Sequence, residues 1–315
     1  MTKKIAILIF TIAVFAGSVF AIDVEDINTD AGTSAFPFLK INISARAVAM
    51  GGAFTGLADD ESSLYYNPAG IATIEERRFI AGYHNYFSDI QTGFIGFINN
   101  KQEKYFYGGY ISYLNYGSFI QADQFGTVTG EFSGSDILLA GSFALRHSYS
   151  YMTGATIKLI YESIHDYSAS GIALDLGIKY HGDRGKYSAG FAIQNIGIQL
   201  SALGNEKYSL PLTLRLGGSI VPQGLPLLIA TDLIIPTDNS LNFALGFEST
   251  EMNPLYLRAG WNSFGSNYRG VNSDDSWAGI ALGFGFDYKE KQISYSFTPA
   301  AELGSSHRIT ITGGF

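Results

Sequence analysis

From Gly279 to Tyr288 every second residue is apolar. Ile280, Leu282, Phe284, Phe286 and Tyr288 share one face of an extended chain, while Gly279, Ala281, Gly283, Gly285 and Asp287 share the other. Residues 171–180 repeat the pattern, with Ile172, Leu174, Leu176, Ile178 and Tyr180 opposite Gly171, Ala173, Asp175, Gly177 and Lys179. A face of glycine, alanine and isolated charge cannot be a hydrophobic core. In a soluble sandwich the apolar face turns inward under a polar cover, but here the other face is rich in glycine and sparsely charged. That combination suits a barrel whose apolar face meets lipid and whose lumen packs against an internal segment.

Marking each such segment places strands at 77–87, 91–99, 104–116, 134–147, 150–163, 168–180, 186–195, 212–220, 226–235, 241–248, 254–263, 277–288, 291–299 and 306–315. The expected fold is all-β: a transmembrane antiparallel barrel of about fourteen strands over residues 77–315. Odd-numbered strands are followed by several long polar connections, notably 117–133, 196–211 and 264–276, whereas even-numbered strands end in short turns such as NNKQ, HGDRG and KE. Outer-membrane barrels have this asymmetry, with short turns in the periplasm and long loops outside. Both chain ends are then expected in the periplasm. The last strand, HRITITGGF, puts Ile309, Ile311, Gly313 and Phe315 toward lipid and ends on an aromatic, which resembles the signal read by the barrel assembly machinery.

The compartment follows from the other end. Lys3 and Lys4 precede an uncharged run from Ile5 to Ala16, a Gly17–Ser18 break and Val19-Phe20-Ala21, with small residues where a signal peptidase cuts. Residues 1–21 read as a signal peptide cleaved after Ala21, and the acidic Asp23, Glu25 and Asp26 just beyond argue against an uncleaved anchor. Loss of Lys3 and Lys4 takes the formal net charge from −8 to −10, so nucleic acid is not an expected partner. Outer-membrane lipid is. Charged residues are only 15% of the chain and aromatics 14%, yet no later apolar run is long enough for a spanning helix, so the apolar excess must be carried by strands. No cysteine occurs, which excludes disulfides and a cysteine-linked lipid anchor.

Residues 22–76 lack the strand pattern and are long enough to fold inside a barrel wider than the eight-strand kind. They are expected to form an N-terminal plug, or hatch. Within them, Pro68 holds Asn67 extended, the Asn67 amide caps the next turn, and Ala69-Gly70 completes a corner in which Gly70 takes a positive φ. Gly51 and Gly52 let backbone approach the inner wall closely.

Chemistry has little to stand on. GGAFTG lacks the Lys-Ser or Lys-Thr of a phosphate loop, and the consecutive Asp59, Asp60 and Glu61 point in different directions with no second cluster to complete a cation or acid–base site. His84, His147, His165, His181 and His307 have no ligand spacing, and no Gly-X-Ser-X-Gly element suggests a hydrolase. No catalytic residue, metal or cofactor is assigned. The alternation does place Asp136, Arg146, Lys158, Glu162, Asp175, Lys179, Arg215, Arg258, Asp287 and Arg308 in the lumen. They read as a salt-bridged wall that ties the plug down; the sharper alternative is a polar gate or a site for a substrate carboxylate, carried by Lys158, Asp175, Lys179, Arg215 and Arg258.

The stretch FPFLKINISARAVAMGGAFTGLADDESSLYYNPAGIA resembles the N-terminal signature of the PorV/PorQ family of outer-membrane proteins, itself similar to the FadL long-chain fatty-acid transporters, which carry an Asn-Pro-Ala element in their hatch. YSAGFAIQNIG, LPLTLRLGGSI, PLYLRAGWNSFG and the closing DYKEKQISYSFTPAAELGSSHRITITGGF follow in the family's style and order. The resemblance implies a fourteen-strand barrel with a hatch. It also implies one of two jobs: an accessory barrel of type IX secretion that docks exported proteins, or a FadL-like channel that passes hydrophobic ligands inward. The long loops, with Tyr208, Phe264, Tyr268 and Asp274-Asp275, suit the docking of secreted proteins, though loops of this size also roof transport barrels.

Overall fold

The computed structural model describes residues 29–87, 90–182, 185–268, 277–300 and 303–315. The signal peptide, the expected new N-terminus at Ile22 and the pair Asp274-Asp275 lie outside them. Fourteen strands form one closed barrel in which each pairs with its sequence neighbours and β1 closes on β14. They are β1 Arg78–Asn85, β2 Gln91–Gln102, β3 Tyr105–Ala122, β4 Val128–Arg146, β5 Tyr151–Ile164, β6 Tyr167–Gly182, β7 Tyr187–Ser201, β8 Thr213–Ile220, β9 Leu227–Pro236, β10 Asn242–Ser249, β11 Leu255–Asn262, β12 Ile280–Tyr288, β13 Lys291–Pro299 and β14 Ser305–Gly314. All pairs are antiparallel, and closure is in register from Arg78 opposite Gly314 to Asn85 opposite His307.

Period-two alternation decides which face is which. On β6, Ile172, Leu176, Ile178 and Tyr180 are exposed outward, whereas Gly171, Ala173, Asp175, Gly177 and Lys179 are buried. Exposed Leu282, Phe284, Phe286 and Tyr288 do the same on β12. Outward apolar side chains and inward burial are the arrangement of a barrel in lipid.

Two connections differ from expectation. Residues 117–133 and 196–211 contain strand: β3 runs to Ala122, β4 begins at Val128 and β7 reaches Ser201. On β3 and β4 main-chain pairing continues after the apolar alternation has lapsed, whereas on β7 the alternation continues too, with Ile196, Ile198 and Leu200 still exposed. A register shift between Asn115 and Ser118, at Gly117 with φ +79°, marks the change. β3 to β7 are therefore 14 to 19 residues long, against 8 to 10 for β8 to β14, and one side of the barrel rises above the other. The end bearing this rise and the long connections is the loop mouth; the end bearing Arg78 and Gly314 is the turn mouth.

Residues 29–76 contact inner-wall residues around the barrel. They comprise a 3-10 turn at Pro37–Lys40, short helices α1 Ala45–Ala49 and α2 Ser63–Tyr66, and a second 3-10 turn at Pro68–Thr73. Ser44 caps α1 by accepting from the Ala47 N–H. The core lies between this segment and the wall, with Phe36, Met50, Phe54, Leu64, Tyr66 and Ile71 packed against Ile80, Ile98, Phe106 and Leu138. The inner face of β1 to β4 thus carries large apolar side chains beside Arg78, His84, Asp136 and Arg146, and not only the glycine, alanine and charge expected throughout the lumen, because this arc buries the segment's oily side. The first described residues lie at the loop mouth, where the Ala35 N–H donates to Ser209 O, opposite the end that holds Gly314.

Candidate functional site

Residues 34–76 are bonded to the inner wall at many points. At the corner, Asn67 is extended (φ −157°, ψ 105°) and its side-chain oxygen accepts from the Ala69 N–H at 3.1 Å. Its amide nitrogen donates to Thr55 O at 2.9 Å and to Ile178 O on β6 at 3.0 Å, so one side chain joins two parts of the segment to the wall. Pro68 opens the following 3-10 turn, where its missing N–H costs nothing. Gly70 does not take the expected positive φ. It is needed for space: a Cβ there would lie 2.6 Å from Ser63 Oγ and 2.7 Å from Ala58 Cβ.

Glycines of the wall receive the segment's backbone. A Cβ on Gly154, Gly177 or Gly190, on β5, β6 and β7, would collide with Pro68, Asn67 or Thr55. Across the barrel, a Cβ on Gly246 of β10 would lie 2.5 Å from Met50 O, and one on Gly283 of β12 would lie 2.5 Å from Ala49 Cβ. Gly51 has φ +68° and meets the Trp261 backbone, with its Cβ position 2.5 Å from Trp261 O. Gly52 has φ +84° and serves the turn; its nearest contact is Asn42 at 3.6 Å.

Charge completes the attachment. Arg46 forks onto both oxygens of Glu248 on β10, at 2.8 and 2.7 Å, and also reaches Asp59 at 2.6 Å and Asp60 at 2.8 Å. Arg258 meets the same Glu248 at 2.6 Å and Ser294 at 2.9 Å. On β8 and β9, Arg215 bonds Thr55 Oγ1 at 2.8 Å, Gly52 O at 2.7 Å and Asp232 at 2.9 Å, while Asp232 accepts from Thr55 N–H at 3.0 Å. Lys179 donates to Leu57 O and Ala58 O, Arg146 to Ala72 O, and Arg308 to Asn42 O. Glu61, buried, meets Arg78 at 2.5 Å. Burial first and neighbouring Asp60 second push the Glu61 carboxyl up to about 7, against the pull of Arg78, and its second oxygen has no hydrogen-bond partner.

Of the five lumen residues singled out from sequence, Lys179, Arg215 and Arg258 converge on the segment, Arg258 through Glu248. Lys158 and Asp175 pair with each other at 2.6 Å and with Asn195 inside the wall of β5 to β7. The five do not share one site. Sequence reasoning passed over Arg46, Asp232 and Glu248. The alternation that turns Arg215 inward also turns Asp232 and Glu248 inward, but the aperiodic segment offers no signal that Arg46 is their counterpart.

Space remains at the loop mouth. A cavity of about 240 Å³ lies between residues 37–52 and β11 to β14, lined by Lys40, Asn42, Phe264, Thr298, Ser306 and Arg308 among others. A second of about 140 Å³, beside Lys40 and Asn42, is lined by Gln194, Asn195, Thr213 and Arg215. Both walls are mixed: the first also carries Ile41, Val48 and Pro299, the second Leu39, Tyr65 and Ile234. An apolar groove of about 440 Å³, with Phe143, Leu176, Ile178 and Phe191, lies on the lipid-facing side of β4 to β7. Among the described residues no cluster of His, Asp and Glu is arranged to hold a metal ion.

A sequence profile for type IX secretion system protein PorV matches residues 24–223. No curated protein matches the chain by sequence. Solved structures do match by fold. The Pseudomonas putida toluene transporter TodX aligns with a TM-score of 0.60 at 14% identity, over 85% of this chain and 96% of that one. The CymD monoaromatic hydrocarbon channel aligns at 0.58 and 13%, over 89% and 99%. A Pseudomonas aeruginosa FadL homologue aligns at 0.55 and 12%, over 86% and 97%.

Proposed function

The chain belongs to the PorV family of type IX secretion proteins, and from that premise we propose that it is a non-enzymatic outer-membrane barrel acting as an export accessory or a surface-docking platform for secreted proteins. The observation that carries this is the filled interior. Residues 34–76 are held by glycine contacts and by hydrogen bonds to β5 to β14, and only small cavities of mixed polar and apolar lining are left at the loop mouth. An apolar solute would have to break buried ion pairs to pass, which costs several kcal/mol for each charge left without its partner.

In this reading the segment is a plug, its corner at Asn67, Pro68, Ala69 and Gly70 fixes geometry, and Gly51 and Gly52 allow close approach. The lumen charges Lys179, Arg215 and Arg258 anchor the plug, and Lys158–Asp175 stiffens the wall. The turn mouth faces the periplasm and the loop mouth the exterior, after cleavage behind Ala21. Partners are outer-membrane lipid, the barrel assembly machinery during insertion, and exported proteins.

The fold shared with a toluene transporter favours a second reading, uptake of hydrophobic small molecules such as long-chain fatty acids past a plug that moves. Purification from native membranes in mild detergent, followed by mass spectrometry of lipids and proteins, separates the two. A co-purifying exported protein is expected; a stoichiometric apolar ligand without a protein partner would transfer the assignment to uptake.

A further inference from the structure

A closed barrel has no free strand edges, yet this one regains them where its strands outgrow the membrane. β2 pairs with β3 only as far as Gln91 opposite Asn115, whereas β3 continues to Ala122 paired with β4. Along Tyr116–Ala122 no strand among the described residues pairs with the other side. In an antiparallel pair, alternate residues turn N–H and C=O toward one neighbour and the intervening ones turn theirs away, here into the slot that β2 vacates, where the Gly117 N–H is covered by Asn115 Oδ1 at 2.8 Å and the edge from Ser118 to Ala122 follows. The edge of β7 beyond Gln194 is partly covered, since Asn195 donates to Pro211 O and the Tyr208 N–H donates to Gln199.

Proteins normally blunt an open edge with lysine, proline or shortness. The edge sequence YGSFIQA has neither charge nor proline, and Ile120 is 71% exposed. Tyr105 to Asn115 already supplies the roughly 9 to 11 residues that a tilted strand needs to cross the hydrocarbon, so this edge stands in water.

We propose that Tyr116–Ala122 is a docking edge for an extended strand of another polypeptide, which adds beside β3 in the place left by β2. The proposal deepens the docking assignment and rests on it for the partner's class, an exported protein. Main-chain hydrogen bonds would supply the affinity and alternate side chains the selectivity. One face of the incoming strand meets Phe119, stacked on Phe132 at 5.2 Å, and the other meets Ile120, so the fitting sequence is apolar on both faces and nearly uncharged. A second copy cannot take the antiparallel place of β2, because two barrels in one membrane run β3 in the same direction.

The test is amide hydrogen exchange of the mature protein in nanodiscs, resolved at residues 116–122, with and without a labelled decapeptide of alternating valine and phenylalanine. Alternate edge amides are expected to exchange freely alone and at least about tenfold more slowly with saturating peptide, and Ile120→Lys and Gln121→Lys should each weaken peptide binding by about tenfold. The proposal is overturned if the edge is already protected without peptide, if the peptide binds without slowing exchange there, or if protection rises with protein concentration alone, which would assign the edge to another copy. An exported protein that co-purifies while the edge stays unprotected would leave the docking assignment standing and remove this site from it.

Discussion

Two arcs of the wall hold the same internal segment by different physics. Along β1 to β4 the contact is mainly apolar, with Ile80, Ile98, Phe106 and Leu138 against Leu64, Tyr65 and Phe38, and Arg78 and Arg146 add bonds to Glu61 and Ala72 O at its edge. Along β5 to β12 it is made by glycines too close to accept a Cβ and by charged side chains bonded to the segment's backbone. Burial of oily surface is non-directional and tolerates sliding. Backbone contact and bidentate ion pairs do not. The first arc supplies adhesion and the second supplies register, so damage to each should look different.

The largest effect is expected where shape alone holds the segment. Gly177→Val places a branched side chain on Asn67 and Pro68, with Pro68 Cδ only 2.9 Å from the Cβ position, and neither backbone can retreat. The variant should fold as a heat-modifiable barrel whose residues 29–76 are cut by protease at a rate near that of a free peptide. A segment still protected in that variant would mean that the β5 to β7 contact is loose.

A matched pair of truncations comes next. Glu248→Ala leaves Arg258 without a carboxylate in a buried site and takes from Arg46 one of its three, a loss of about 3 to 5 kcal/mol. Phe106→Ala empties a buried aromatic site on the apolar arc, for about 3 to 5 kcal/mol. Local opening free energies from hydrogen exchange should fall by similar amounts but in different places: the Arg46 helix for the first, the residues around Leu64 for the second. Uniform loosening by both variants would erase the distinction between the arcs.

These arcs were unequally legible in sequence. Strands were readable because lipid imposes one rule on every second residue, and the rule also told inward Gly177 and Arg215 from outward Ile178 and Leu216. The apolar arc was missed because Ile80, Ile98 and Phe106 break that contrast: strands with oil on both faces carry less alternation. The segment stands apart in sequence by its lack of period and its Asn-Pro corner, but nothing periodic pairs Arg46 with Glu248, 202 positions away. Gly70 was assigned to the wrong cause for the same reason, since what excludes its Cβ is Ala58 and Ser63 across a tertiary contact.

A smaller effect depends on pH. The Glu61 carboxyl, raised to about 7 mainly by burial, binds its proton more readily in the folded protein than at its ordinary value of 4.5. Its stabilising share is therefore complete below 4.5 and lost as pH rises through 7. Protease protection of residues 59–66 should decline between pH 5 and pH 8, and Glu61→Gln should flatten the profile. A protection that instead rises over this range would show that the Arg78 pair outweighs burial.

The smallest effect should come from the segment's outermost tether. Asp238 accepts from Ser34 Oγ and Lys40 Nζ, both at 2.5 Å, at the loop mouth, where the Lys40 side chain is one-third exposed and water screens the pair. Asp238→Ala should cost no more than about 1 kcal/mol, and the difference from wild type should shrink further in high salt. Cleavage should increase within residues 29–40 while the Arg46 and Asn67 contacts stay protected, because those are fixed by the glycine-and-charge arc independently of the strap above them. If Asp238→Ala instead released the whole segment, the attachment would be one cooperative unit entered from the loop mouth, and the two arcs would not act separately at all.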